Sequence, residues 1–449
     1  MRPEYDLAVI GSGAAAFAAA IAASDLGKRV VLAESNQVGG TCVNVGCIPS
    51  KALLATASRS IELSTIVDAK NRLVDQMRTE KYIDLARAYG FEILRGHAEF
   101  VNGESVTVGG EPISAHAYLI ASGASPAVPA IDGLQEAGYL TSTSALEVRT
   151  PPRELAVIGA NAVGLELGQL FMKLGSKVTF LEAMPRITPL EELEVSAVMR
   201  SILEEDGATV LTGVKIESVR RYGDRRRVSF ERRGGRNELS VDEVLVATGR
   251  RPNTLEMGLD KAGIELTERG AISVDERLGT SNPRVWAAGD VTGHPQFVYV
   301  AAYEGNLAAR NALEGADLKV DLAAMPRIIF TTPTVAAAGL TDGQANAQGI
   351  RCACRVLPLS AVPRALVNRD TRGFVKIVAE RSSGRILGAT AVADGAGDVI
   401  QAAVYAIRFG LTTDQVAATW SPYLTFAEGF KLAAQTFKRD VSKLSCCAA

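Results

Sequence analysis

Apolar and polar positions along the chain spell out one pattern twice, then a different one. Tyr5 to Ile10 is a short β-rich run, followed by Gly11-Ser12-Gly13-Ala14-Ala15-Ala16 and an apolar helix ending near Gly27. A second apolar run, Arg29 to Ala33, ends in Glu34. The order returns 148 residues later, counted from Gly11 to Gly159: strand Leu155 to Ile158, turn Gly159-Ala160-Asn161-Ala162-Val163-Gly164, and a run from Lys177 to Leu181 ending in Glu182. Apolar strands at 117–120 and 244–246 lead into Ala121-Ser122-Gly123-Ala124-Ser125-Pro126 and Ala247-Thr248-Gly249-Arg250-Arg251-Pro252. From about Met325 the pattern changes to strands (Ile328 to Phe330, Ala353 to Leu357, Gly373 to Val378, Ile386 to Val392) and then helices (Ala396 to Phe409, Ala427 to Phe437). These runs predict an α/β protein with two Rossmann-like, three-layer dinucleotide-binding domains and a C-terminal α+β module.

The first turn is a dinucleotide fingerprint in its G-x-G-x-x-A form. Glycines let the backbone approach a pyrophosphate at a helix N-terminus, and an acid at the end of the next strand bonds a ribose. Glu34, twenty-one residues past Gly13, is that acid, and Glu182 is its counterpart. Asn161 replaces the middle glycine of the second turn, which asparagine permits because it tolerates a left-handed backbone. Two such units predict two dinucleotides, the arrangement that passes a hydride from a nicotinamide to a flavin.

At 449 residues the chain exceeds one core. Its composition, 47 % hydrophobic and 22 % charged, is ordinary. A net charge of −2 predicts no general affinity for nucleic acid or anionic membrane. Leu7 to Ala23 is apolar enough to imitate a signal peptide, but Asp6 and Asp25 flank it and no extended positive region precedes it, so a soluble, cytoplasmic protein is expected. Six cysteines in this length are no disulfide framework. Cys42 and Cys47 stand five positions apart, with Gly46 between them and Pro49 just after. On a regular helix their sulfurs would diverge; the glycine and proline distort the turn, and a helix N-terminus favours a thiolate. Cys352 and Cys354 share one face of a predicted strand and are read as core or edge cysteines rather than a metal pair. The arginines around Gly234-Gly235 predict a solvated hairpin rather than a polyanion site.

Gly39 to Lys51, reading GGTCVNVGCIPSK, closely resembles the redox-active segment of the flavoprotein disulfide reductases, and Val285 to Asp290 (VWAAGD) resembles their second flavin segment. The resemblance runs from Tyr5 to about Phe437. It implies a homodimer with an FAD-binding domain (1–150), an NAD(P)-binding domain (151–270), a central segment completing the first (271–325) and a dimerisation domain (326–449). FAD would lie on Gly11, Gly13, Ala14, Ala15, Glu34, Gly40, Thr41, Lys51, Ser122 and Gly123, with Asp290 on its ribityl chain. The nicotinamide coenzyme, NADPH or NADH, would lie on Gly159, Asn161, Val163, Glu182, Arg186 and Gly249. Cys47 would face the flavin, Cys42 would exchange with substrate, and Lys51 would pair with Glu166. Glu182 favours NADH, because it accepts from a ribose 2′-OH and repels a 2′-phosphate, while Arg186 is within reach of such a phosphate.

Two departures narrow the resemblance. Disulfide-reducing members carry a histidine five residues before a C-terminal glutamate; here Glu428 is preceded at that spacing by Tyr423, a poor proton shuttle near neutrality. The chain ends Ser445-Cys446-Cys447-Ala448-Ala449, an adjacent thiol pair suited to a soft metal. Together these resemble the branch of the family that reduces Hg(II) to elemental mercury, with Tyr423 matching a tyrosine near the metal site. The resemblance implies Hg(II) arriving as small-thiol complexes, captured by Cys446 and Cys447 and passed to Cys42 and Cys47. That branch often carries a small metal-binding domain ahead of the FAD strand; this sequence is expected to be the catalytic core alone. The alternatives are a dihydrolipoamide- or glutathione-type disulfide reductase and a thiol metal scavenger that does not turn over.

Overall fold

The structure is a computed structural model and describes residues 4–58 and 60–443. Two compact units emerge. The first comprises the chain up to Pro129, Thr141–Thr150 and Thr248–Val320. The second comprises Ala130–Leu140, Pro151–Ala247 and the chain from Asp321 onward.

The first unit is built on a parallel five-stranded sheet in the order Val285–Ala287, Ala115–Ile120, Tyr5–Ile10, Val30–Glu34, Glu92–Arg95. Its central strands are almost wholly apolar, as strands covered on both faces must be. Helix Ala14–Asp25 follows the first turn and is apolar all round, so it is buried rather than laid on a surface. Its partner is helix Val298–Glu314, and the contact depends on small residues: a Cβ on Gly305 would stand 2.0 Å from Ala15 O. Strand Val285–Ala287 joins this sheet. Residues 248–270, expected with the second dinucleotide-binding domain, belong to the first unit instead. Their strand Arg250–Pro252 pairs with Ala124–Pro126, and this tertiary ladder overrides the sequence boundary.

The second unit holds a parallel four-stranded sheet, ordered Thr209–Thr212, Lys177–Glu182, Glu154–Ile158, Glu243–Val246. The arginine-rich stretch is the expected hairpin, strands Arg225–Arg232 and Gly235–Val241, with Arg225 ion-paired to Glu154 and Asp242. Beyond Asp321 an antiparallel sheet runs Pro326–Ile329, Thr334–Gly339, Ile386–Ala393, Phe374–Glu380, Cys352–Pro358. Helices Ala396–Arg408 and Glu428–Gln435 bury their apolar faces on it. The predicted strands and helices here lie within two residues of the observed ones, but Thr334–Gly339, whose core reads VAAAG, carried too little β-branching to be read as a strand. Among the described residues no helix is long and apolar enough to cross a membrane.

Candidate active site

In the first unit the chain leaves strand Tyr5–Ile10 through Gly11, whose φ of +116° suits glycine alone. A Cβ there would also stand 2.3 Å from Ala121 O. Gly13 caps the helix that begins at Ala14, and Gly40 (φ +62°) approaches so closely that its Cβ would lie 2.6 Å from Gly13 Cα. Two backbones therefore meet where a side chain on Gly40 would block the approach. Glu34, at the end of the next strand, is buried and held at both oxygens: Ser12 Oγ donates at 2.5 Å and Asn36 N at 2.7 Å.

These residues floor a cavity of about 1020 Å³, at the upper limit for a small-molecule site. Gly11, Gly13, Glu34, Gly40, Thr41, Ser122 and Gly123 line it, together with Asn44, Arg78, Arg251 and Asn253. Ser122 Oγ donates to Asn253 O at 2.7 Å and fixes that wall. Arg78 Nε and Asn44 Oδ1 are buried and have no hydrogen-bond partner among the described residues. A glycine floor at a helix N-terminus, a ribose acid and orphaned polar atoms on residues lining one cavity fit FAD.

The thiols stand beside it. The segment anticipated as one distorted helix is two: Gly40–Val45 and Cys47–Thr56, broken at Gly46. Gly46 is needed there because a Cβ would lie 2.9 Å from Thr41 O. The break brings the two sulfurs together, since Cys42 and Cys47 share a side-chain hydrogen bond and neither is in a disulfide. That bond, then burial, pushes the Cys42 thiol well up, with the Lys51 ammonium opposing. The expected gain from a helix N-terminus is thus outweighed at Cys42 by proton sharing inside the pair. Tyr82, which the sequence reading missed, is pushed up to about 12 by burial and by the two thiols. It lies on a single π-helical turn, Thr79–Ile83, and packs edge-on to Phe17.

Arg250 was also missed as a site residue. Its guanidinium donates to Thr41 Oγ1 at 3.3 Å, beside Cys42, and stands 3.6 Å from Asp290. Burial lowers the Arg250 pKa and raises that of Asp290, so each supports the charge of the other. The signal lay in the Gly249-Arg250-Arg251-Pro252 turn, where only the glycine was given a role. Gly249 itself lies in the first unit, its carbonyl accepting from Ala127 N at 2.9 Å. Two of the three histidines are engaged elsewhere: His97 with Glu256 O and His294 with Glu304, each at 2.6 Å. Neither is among the groups that shift the Cys42 thiol.

In the second unit Gly159 turns at φ +100° and Gly164 allows the helix to sit on the strand, since its Cβ would be 2.0 Å from Gly159 O. Asn161 is extended (φ −102°, ψ −167°), so the left-handed tolerance invoked for it is not used. Glu182 accepts from Ala160 N at 2.7 Å and Met184 N at 2.8 Å. Val163 is exposed on the first turn of the helix. Arg186 does not await a phosphate: its two terminal nitrogens donate to Thr188 O, Glu192 O, Ser196 Oγ, Pro189 O and Glu191 O. Glu166 is buried and its Oε1 accepts from Phe330 N at 2.9 Å. Tyr423 is half exposed ahead of helix Glu428–Gln435, and Glu428 is buried with its carboxyl pushed up by burial. Cys446 and Cys447 lie outside the described residues.

A dinucleotide cavity and a paired dithiol that begins next in sequence to its lining Thr41 define a flavin-linked thiol oxidoreductase, and the chain belongs to the pyridine nucleotide-disulphide oxidoreductase family. That family's model matches residues 5–305, and the model of its dimerisation domain matches residues 325–434. Members use FAD and NAD(P)H. Within the family the chain is 50 % identical to a mercuric reductase of Streptomyces lividans, over 99 % of this chain and 98 % of that one. It is 47 % identical to a mercuric reductase of Bacillus cereus, over 99 % of this chain and 73 % of the relative. A solved Cu(II) complex of the HOCl-induced flavoprotein disulfide reductase RclA from Escherichia coli superposes with a TM-score of 0.91 at 30 % identity, covering 98 % of this chain and all of that one.

Proposed function

We propose that this protein reduces Hg(II) to Hg(0) in the cytoplasm, as a homodimer driven by NAD(P)H. The observation that carries the reading is the hydrogen-bonded Cys42–Cys47 dithiol beside an FAD-shaped cavity, in a chain similar to mercuric reductases over nearly its full length. The net change balances as Hg(SR)₂ plus NAD(P)H plus one proton giving Hg(0), NAD(P)⁺ and two RSH.

FAD, when bound, supplies the two-electron link between nicotinamide and thiols. Gly11, Gly13, Ala14, Ala15 and Gly40 would give it backbone access, and Glu34 and Asp290 would hold its hydroxyls. Cys42 and Cys47 would displace the small thiols from Hg(II), each passing its proton to a leaving thiolate. Cys42 is the exchanging thiol and Cys47 the one facing the cofactor. Lys51 would stabilise negative charge at that edge. Glu182 and Asn161 would seat the nicotinamide coenzyme. Cys446 and Cys447 of the partner subunit would deliver the metal, and Tyr423 would sit near its path. Soft thiolates are the ligands such an ion selects.

The test is loss of NAD(P)H absorbance when Hg(II) is added with excess thiol, while volatile mercury is collected. Turnover of lipoamide or oxidised glutathione at equal rates would return the protein to the disulfide reductases. Mercury uptake with no coenzyme consumed would make it a scavenger. Cys446→Ala/Cys447→Ala should slow turnover of thiol-bound mercury yet leave flavin reduction by coenzyme intact.

A further inference from the structure

A second pair of thiols lies far along the chain from the first and has no part in the chemistry above. Strand Cys352–Pro358 is an edge strand of the antiparallel five-stranded sheet, and Cys352 and Cys354 point to the same face of it with their sulfurs 3.8 Å apart. Both are half-buried, and neither is in a disulfide. They pack on a small apolar cluster that includes Ala345, Val378 and Leu387. Asn346 Oδ1 lies 3.6 Å from Cys352 Sγ.

We propose that Cys352 and Cys354 form a separate two-thiolate site for a soft, two-coordinate cation such as Hg(II).

Three arguments support it. The first is geometric. Alternate residues of a strand are about 6.6 Å apart at Cα with side chains nearly parallel, and a disulfide needs Cβ atoms within about 4.5 Å. A Cα spacing this near the outer limit for a disulfide, about 6.8 Å, leaves closure strained. A linear dithiolate needs its sulfurs about 4.6 Å apart, twice a metal–thiolate bond of about 2.3 Å. From 3.8 Å that is a small opening, supplied by side-chain rotation without moving the strand. The second argument is electrostatic. A divalent ion with two thiolates is neutral and suits a half-apolar pocket, whereas one bare thiolate does not. Cys354 alone is indeed pushed up to about 12, by burial and then by its bond to Cys352, with the Asp342 carboxylate adding to the shift. Metal capture and loss of both protons therefore go together. The third is support: Asp342 opens the helix Asp342–Ala347 packed on this strand, and its carboxylate is fixed by Lys376 Nζ at 2.8 Å. The exchange balances as Hg(SR)₂ plus two protein thiols giving the protein dithiolate complex and two RSH.

The experiment uses the full chain as purified, without nicotinamide coenzyme. Hg(II) is added as its glutathione complex, the protein is alkylated with iodoacetamide, and the tryptic peptide Cys352–Arg355 is quantified. Cys352 and Cys354 should lose alkylation together, by about tenfold or more, as chelation by two linked ligands requires. In Cys352→Ser, a near-isosteric change checked by thermal melting, Cys354 should alkylate at its metal-free rate. Alkylation of both thiols at unchanged rates once Cys42 and Cys47 are saturated would overturn the proposal. So would persistent protection of Cys354 in the serine variant. Coenzyme consumption by Cys352→Ser with Hg(II) should match the parent, so this site and the reductase activity fail separately.

Discussion

The two dinucleotide turns solve one problem with different residues. In the first, Gly13 is the middle residue and Ala16 the last; in the second, Asn161 and Gly164 take those places. The reason is what each turn must approach. Gly13 lies against a second backbone, at Gly40, while Gly164 faces the carbonyl of its own Gly159 and the Val157 side chain. The acids differ as well. Glu34 is held by a hydroxyl and one backbone amide, Glu182 by two backbone amides. The first turn is thus shaped by a distant loop, the second by its own strand and helix.

The comparison breaks most easily at Gly11. Gly11→Ala combines a left-handed φ with a contact at 2.3 Å on the floor of the FAD cavity, and Gly159→Ala meets a left-handed φ of +100° in the second unit. We expect Gly11→Ala to purify with flavin content near zero by absorbance. Gly159→Ala should keep its flavin and lose about 1–3 kcal/mol in denaturant melts. Next comes Glu182→Gln. It keeps one acceptor oxygen and removes the charge that opposes a 2′-phosphate, so the ratio of kcat/KM for NADPH over NADH should rise roughly tenfold. An unchanged ratio would detach coenzyme choice from this acid, and Arg186, spent on five acceptors, could not take its place. Ser12→Ala comes third: it strips a donor from buried Glu34 and should cost about 1–3 kcal/mol, an effect the main-chain-held Glu182 has no way to show.

The smallest effect concerns a third buried acid, Glu304, which accepts from Gly289 N and from His294. That hydrogen bond to Glu304 raises the His294 pKa. A raised histidine adds stability that is complete below its ordinary value and fades as pH climbs through the folded one. The melting-temperature gap between the parent and His294→Gln should therefore be wider at about pH 5.5 than at about pH 8.5. Equal gaps would mean that the imidazole is no more charged in the fold than outside it.

Much of this was legible in the sequence because it is local. Both fingerprints, the acids that end their second strands, the thiol spacing and most of the C-terminal strands are set by residues near one another in the chain. What escaped depends on distant approach. Arg250 reaches Thr41 across 209 positions of sequence, and nothing near it announces the contact. Arg186 is placed by the sequence within reach of a 2′-phosphate, yet five oxygens between Thr188 and Ser196 claim it. Asn161 was read as left-handed from a glycine precedent, although extended backbone at that position lets any residue in. Gly46 was read rightly as a distortion, but that it splits one helix into two needed the neighbouring carbonyl of Thr41.

The meeting of Gly13 and Gly40 carries one more implication. Only Thr41 separates Gly40 from Cys42, so the floor of the cavity and the reactive sulfur are two ends of the same short lever. Loading the cofactor and aligning the thiol are then a single mechanical event, and protein stripped of its flavin should show Cys42 with altered reactivity before any other part of the fold gives way.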